Sequence, residues 1–88
     1  MYTVLEVPAR RLVAQAADHG GALHLLDAEC RRLHDQAAAD PDAEARTHRF
    51  EIVNAGTGRA VAWLTYSPDV ARPYVSVLVD EMPAGERQ

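Results

Sequence analysis

Histidine and aspartate side chains in the first half of the chain are the first candidates for chemistry. His24 and Asp27 lie three residues apart in a segment that predicts a helix, and this spacing can present two ligands to one metal ion. His34 follows about 15 Å further along such a helix at 1.5 Å per residue, which is too far to share that metal. No further ligand is visible, and the pattern favours surface histidines, including His48. We therefore expect neither a bound metal nor another cofactor.

Three further features could suggest catalysis or phosphate binding. Cys30 is the single cysteine, so no disulfide can form within the chain, and its place on an apolar helical stripe favours a buried, inert thiol. Gly56 and Gly58 flank Thr57, but no helix or lysine follows as in a phosphate loop, so a hairpin turn is favoured. Ser67 lacks the motif of a nucleophile elbow. No catalytic residue is assigned, and the sequence leans away from an enzyme.

Composition limits the classes of partner. The chain has 88 residues and a net charge of −4, which argues for one domain and against non-specific binding to nucleic acid. All basic residues are arginine, which with abundant alanine indicates a bacterial, GC-rich coding sequence. The start of the chain lacks the pattern of a signal peptide, and no stretch approaches the ~20 apolar residues of a membrane span. We expect a soluble cytoplasmic protein.

The positions of apolar and turn-forming residues predict six elements. Residues 22–38 predict the clearer helix, because apolar residues recur there at spacings of three and four. β-Branched and aromatic residues concentrate in the second half of the chain and predict strands. The predicted strands are 2–7, 47–54, 59–66 and 74–80, and the predicted helices are 9–18 and 22–38. Gly20 and Gly21 are expected to end the first helix, and 39–45 is expected to be an acidic loop.

The order of these elements predicts an α+β fold of strand-helix-helix-strand-strand-strand type. The last three strands form an antiparallel meander, and two helices pack on one of its faces. The first strand is expected to join an edge of the sheet. Residues 1–81 are expected to form one domain, and 82–88 a flexible tail.

The strand predicted at 59–66 is apolar on both faces, although a strand covered on one face should alternate. Val61 and Trp63 lie on one face, and Leu64 and Tyr66 on the other. Tyr74 and Leu78 extend this candidate interface on the next predicted strand. The sequence leaves open which face the helices cover. The remaining face is covered either by loops, the tail and the first strand, or by a second copy, another protein or a small-molecule ligand.

The predicted order and length resemble those of the RelE/ParE superfamily, the small ribonuclease and gyrase toxins of bacterial toxin–antitoxin pairs. Residues 2–12 and 46–80 occupy the matching places. The resemblance implies a toxin domain with basic residues, histidine or tyrosine near the sheet. This chain has no lysine and ends its last predicted strand in Val79-Asp80-Glu81, so no catalytic residue is carried over.

Three functions follow as hypotheses. The first is a non-enzymatic binding or regulatory protein that acts through protein–protein contacts, as a homodimer through its sheet. The second is a diverged toxin domain of the kind just named. The third is a small enzyme or ligand carrier with an apolar pocket between sheet and helices.

Overall fold

One helix packs on one face of a four-stranded antiparallel sheet in the computed structural model, which describes residues 1–40, 42 and 46–78. The elements are β1 (Tyr2–Val7), β2 (Arg11–Ala16), α1 (His19–Ala39), β3 (His48–Asn54) and β4 (Arg59–Tyr66). The strand order is β2-β1-β3-β4, and every neighbouring pair is antiparallel. The predicted α+β class is confirmed. The predicted strand-helix-helix-strand-strand-strand order is wrong, because these residues contain one helix rather than two.

The segment predicted as a helix at 9–18 forms a strand, β2, in a hairpin with β1. Leu12 lies opposite Leu5, and the chain reverses at Arg10, whose φ of 59° is left-handed. A helix here would place Arg11 in its first turn, where the helix dipole disfavours cations. Pairing with β1 instead satisfies the backbone groups and forms a cross-strand leucine pair. The hairpin also puts β1 inside the sheet, not at its edge as expected.

Helix α1 begins earlier than the predicted helix at 22–38, because Asp18 caps it. The Asp18 carboxylate accepts the backbone N–H of Gly21 at 2.6 Å, which satisfies a donor that a helix start leaves free. Gly20 and Gly21 therefore open this helix instead of ending another. A Cβ on Gly21 would lie 3.2 Å from the Ala16 Cβ, so a side chain would crowd the turn from β2.

No helix in the described residues is long and apolar enough to cross a bilayer.

The hairpin of β3 and β4 agrees with the prediction. β4 has the predicted bounds, and β3 begins at His48 instead of residue 47. The Asn54 side chain accepts the backbone N–H of Gly56 at 2.8 Å in the connecting turn. Gly58 has a φ of 75°, a conformation that glycine adopts without a clash from a side chain.

The strand predicted at 74–80 is wrong in its described part. Residues 73–76 have no regular structure, and Val77 and Leu78 have a helical conformation. The hydroxyl of Tyr74 and the backbone N–H of Val77 both donate to Asp27, so this segment is held on α1 and not on the sheet. Residues 79 and 80, most of the predicted acidic loop at 39–45, and the predicted tail at 82–88 lie outside the described residues.

The core lies between α1 and the sheet. Its buried members come from β1, α1 and β3, and one comes from the segment after β4: Val4, Ala22, Leu26, Cys30, Leu33, Phe50, Ile52 and Val77. Burial raises the pKa of the Cys30 thiol to about 12, and the nearby Asp27 and Glu29 carboxylates add to this rise. The thiol therefore stays protonated at neutral pH, and the predicted burial of Cys30 is confirmed.

The element order that carries the resemblance to the RelE/ParE superfamily is not the order of this fold. The described elements run strand, strand, helix, strand, strand. Residues 2–12 hold the first hairpin in place of a strand and a helix, and the meander predicted within 46–80 has two strands in its described part. The fold therefore gives no support to the toxin hypothesis.

Candidate interaction surface

Strand β4 presents its two sets of side chains to different surroundings. Leu64 and Tyr66 point toward α1 and pack, half-buried, against the core. Val61 and Trp63 point to the opposite side, because successive residues of a strand face opposite ways. Their exposed fractions are 44% and 68%. Helix α1 therefore covers one apolar set of the strand and leaves the other in solvent.

We call the side of the sheet opposite α1 the open face. Its apolar members are contributed by all four strands: Leu5, Leu12, Val53, Val61 and Trp63. The register sets one straight row across the sheet, in which Leu12 faces Leu5, Leu5 faces Glu51, and Glu51 faces Trp63. Leu5 is buried within this row, whereas Leu12 is 56% exposed at one end and Trp63 is 68% exposed at the other. A row of this kind differs from scattered single apolar residues, which need no partner.

Two charged side chains interrupt the open face. Arg49 and Glu51 point to this side, because they alternate along β3 with the buried Phe50 and Ile52. Neither forms an ion pair with another described residue. Removing an unpaired carboxylate from water costs several kcal/mol. A partner that covers the middle of the open face would therefore have to neutralise Glu51.

The outer edge of β4, which we call the β4 edge, carries apolar side chains on both sides of its backbone. No strand within residues 1–40, 42 and 46–78 pairs with it, and residues 60–66 include no charged side chain and no proline. A hollow of about 10 Å³ lies on its helix side, lined by Leu23, Leu26, Phe50, Ala62, Trp63, Leu64 and Val77. Such a volume holds about one water molecule. It is too small for the ligand pocket of the third hypothesis.

The opposite edge, at β2, begins with an ion-pair network. The Arg11 guanidinium donates to Glu6 on β1 and to Glu29 on α1, and Arg32 also donates to Glu29. His48 Nδ1 lies 2.8 Å from Glu6, and the His48 side chain is half-buried, 14% exposed, and not the freely exposed surface histidine that was predicted. Burial acts to raise the pKa of Glu6, but the hydrogen bonds from His48 and Arg11 outweigh it and lower the pKa. These charges are engaged with one another and hold β2 to its own chain.

The segment after β4 is held on α1 by Asp27 and His34. The Asp27 carboxylate accepts the Tyr74 hydroxyl at 2.5 Å and the Val77 N–H at 3.1 Å. His34 Nε2 lies 2.9 Å from the carbonyl oxygen of Arg72 and donates to it. Burial acts to raise the pKa of Asp27, but its hydrogen bonds outweigh burial and lower the pKa. Burial, followed by the bond to Asp27, raises the pKa of Tyr74 well above its ordinary value.

A second hollow, of about 200 Å³, lies beside this segment. Its lining is contributed by α1, the end of β4 and the following residues: His34, Tyr66, Ser67, Asp69, Arg72, Pro73, Tyr74 and Val75. Some of its polar side chains already have partners: Asp69 pairs with Arg72 at 3.6 Å, and Ser67 lies 3.0 Å from the Thr47 hydroxyl. The His34 ring packs edge-on against Tyr74. The Nδ1 atom of His34 is buried and has no hydrogen-bond partner among the described residues.

The candidate interface residues of the sequence do not share one surface. Val61 and Trp63 lie on the open face. The others are half-buried on the α1 side of the sheet or in the segment after β4: Leu64, Tyr66, Tyr74 and Leu78. Their role as an interface stays a prediction. Sequence reasoning missed Leu5 and Leu12, because Leu12 was assigned to a helix; the apolar residues at 12 and 14 were the available sign of a strand.

The described residues contain no group of three or more His, Cys, Asp or Glu side chains placed to hold a metal ion. His24 is exposed, and the Asp27 carboxylate already accepts hydrogen bonds from Tyr74 and Val77.

Comparison with known proteins finds no matching family model, no matching curated protein and no matching solved structure. Function is therefore inferred from the open face and the β4 edge.

Proposed function

We propose that this chain is a protein-interaction domain whose partner is a second copy of itself, bound through the sheet at β4. The observation that supports this proposal is the exposure of Trp63. It is the single tryptophan of the chain, and 68% of its surface is exposed beside Val61. Large aromatic side chains dominate the energetics of protein interfaces, where they fill desolvated positions.

The free energy gained by burying Trp63 can be compared with the cost of forming a dimer. An aromatic side chain buries about 150–250 Å², and at about 25 cal/mol per Å² the exposed two thirds of two Trp63 side chains give roughly 5–8 kcal/mol. Association costs an estimated 4–15 kcal/mol in lost translational and rotational freedom. The two ranges overlap, so Trp63 alone leaves little or no surplus for affinity, and further contacts along β4 have to contribute to a stable dimer.

A second copy fits this strand for a reason of symmetry. A twofold dimer uses the same patch on both molecules, so the patch has to be complementary to itself. Residues 60–66 carry no charge, so two such strands meet without placing like charges together. Arg59, at the start of β4, lies at opposite ends of the contact when the two strands run antiparallel.

The proposal is tested by sedimentation velocity across a range of concentrations, with two serine variants. We expect the unaltered chain to sediment as a dimer, and Trp63→Ser to raise its dissociation constant at least about tenfold because an interface anchor is lost. Val75→Ser is the matched control: Val75 is 66% exposed but lies outside the sheet, so the dissociation constant should not change. A monomer at every concentration, or equal effects of the two variants, would contradict the proposal.

A further inference from the structure

We infer that the two copies join edge to edge, with β4 of one molecule running antiparallel to β4 of the other in one continuous sheet. This inference rests on the proposed function and specifies its geometry. The twofold axis is then perpendicular to the sheet, both copies of α1 lie on the same side, and the two open faces become one surface.

The first reason is that the β4 edge has few of the features that prevent edge pairing. Natural edge strands are protected by charges, prolines, bulges or a covering element. The irregularity in β4 lies near its start, where the register shifts between Ile52 and Val53, and residues 62–66 pair regularly with β3. These residues include no charge and no proline. Their outward backbone N–H and C=O groups can pair with a second strand.

The second reason is that edge pairing covers apolar groups on both sides of the strand at once. On the open side it brings partner residues against Trp63. On the helix side it brings them against the hollow lined by Leu23 and Leu64. The same contact adds backbone hydrogen bonds, which supply the further stabilisation that Trp63 alone does not.

The third reason is the position of Glu51. It lies between Leu5 and Trp63 in the row across the open face, and no described residue forms an ion pair with it. Packing two open faces against each other would take this carboxylate out of water, at a cost of several kcal/mol unless Arg49 of the second copy lies against it, and it would also bury that guanidinium. Edge pairing leaves it in solvent. Edge-to-edge association is therefore favoured over face-to-face association.

Strand geometry restricts the register. Residues directly opposite each other in an antiparallel pair point to the same side of the sheet. One residue of β4 therefore lies directly opposite the same residue of the second copy, and the twofold axis runs midway between the two. The candidates for this residue are those in the middle of the uncharged stretch: Ala62, Trp63 and Leu64. In each case the two Arg59 side chains are at least about 20 Å apart, at about 3.4 Å per residue.

Hydrogen exchange of the β4 amides tests this geometry on the full chain. In an unpaired edge strand, alternate amides point outward and exchange fast. We expect every amide from Val61 to Thr65 to be protected in concentrated protein. In the Trp63→Ser variant or on dilution, alternate amides should exchange at least about tenfold faster.

The outcomes separate this inference from the proposed function. A dimer in which alternate β4 amides still exchange fast overturns edge pairing and leaves self-association intact. A monomer overturns both; if its β4 amides are all protected, another segment of the same chain pairs with the edge.

Single cysteines at residues 61–65 give a second readout, at protein concentrations above the dissociation constant of Trp63→Ser, because the cysteine at 63 replaces the anchor. Edge pairing predicts that disulfide formation peaks at one position among 62, 63 and 64, because one residue from the axis the Cα atoms are already about 8 Å apart, beyond disulfide reach. Cys30 does not compete, because it is buried. Cross-linking spread over 61, 63 and 65 would indicate face-to-face packing and contradict the inference.

Discussion

The two outer strands of the sheet hold equivalent positions and have opposite chemistry. β2 begins with Arg11, which is tied by ion pairs to Glu6 on β1 and Glu29 on α1. After this arginine β2 carries no charge, and β4 likewise carries none after Arg59; what distinguishes β4 is Trp63, which is exposed at its centre. β2 is thus tied at its start to its own molecule, while the β4 edge has apolar groups on both sides; no strand in the described residues pairs with the outer side of either. Topology makes both strands edges, and the side chains decide which one suits a partner.

The largest expected effect comes from the core that supports both edges. Phe50 is the largest fully buried side chain, and it packs between α1 and the strands. Phe50→Ala should lower the free energy of unfolding by about 3–5 kcal/mol, because it leaves a cavity. Urea denaturation measures this. Trp63→Ala is the control, and in the monomer it should cost less than about 0.5 kcal/mol. Equal losses in the two variants would mean that Trp63 is packed and not exposed.

An intermediate effect is expected where the segment after β4 is held on α1. Asp27→Asn weakens the acceptor shared by Tyr74 and Val77, so the free energy of unfolding should fall by about 1–3 kcal/mol. Tyr74→Phe removes one of these bonds and should cost about half as much. Thermal and urea unfolding measure both variants. If Asp27→Asn is neutral, the segment is not held as described.

Folding stability and dimer formation should depend differently on pH. The pKa values of Asp27, Glu6 and Glu29 are lowered in the folded chain from their ordinary values of 3.8, 4.5 and 4.5. Their stabilisation is therefore complete above those values and is lost as the pH falls through the lowered folded pKa values. Urea midpoints should drop below about pH 4.5, whereas the dissociation constant of the dimer should stay within about twofold between pH 5 and 8, because residues 60–65 do not titrate. A dissociation constant that changes by much more than twofold between pH 5 and 8 would contradict this separation.

The smallest effect is expected at the β2 edge. Arg11 is exposed, so Arg11→Ala should lower the free energy of unfolding by about 0.2–1 kcal/mol and leave the dissociation constant unchanged. Arg49→Ala is the control, since Arg49 is exposed and forms no ion pair with a described residue. A dimer weakened by Arg11→Ala but not by Trp63→Ser would place the interface at the β2 edge and contradict an interface at β4.

The sequence predicted the parts of the fold in which the local residue pattern agrees with the tertiary contacts. The apolar spacing that ends in Leu33 and Ala37 predicted α1, and the glycine-bearing turn at Gly56 and Gly58 predicted the β3–β4 hairpin. The two-sided apolarity around Trp63 directed attention to β4, although its covered side could not be read from one strand. That side depends on where α1 packs, which is a tertiary contact.

The errors occurred where distant contacts override local preference. Leu12 follows two arginines in a short segment that also suits a helix, and pairing with Leu5 settles it as a strand. Tyr74 and Val77 alternate as in a strand, but Asp27 lies more than forty residues earlier and holds them on α1. Neither contact leaves a periodic signal in the sequence. The same limit hid Leu5 and Leu12 as members of the open face.

The single tryptophan provides the most direct test of whether a second copy covers β4. Acrylamide quenching of Trp63 fluorescence in the full chain, followed over a dilution series, reports the exposure of the indole. If a second copy covers it, Trp63 is protected at high concentration and becomes accessible on dilution, with the midpoint found by sedimentation. Quenching typical of an exposed indole at every concentration would contradict self-association. Protection that does not change with concentration, in a chain that sediments as a monomer, would instead show that the chain covers Trp63 itself.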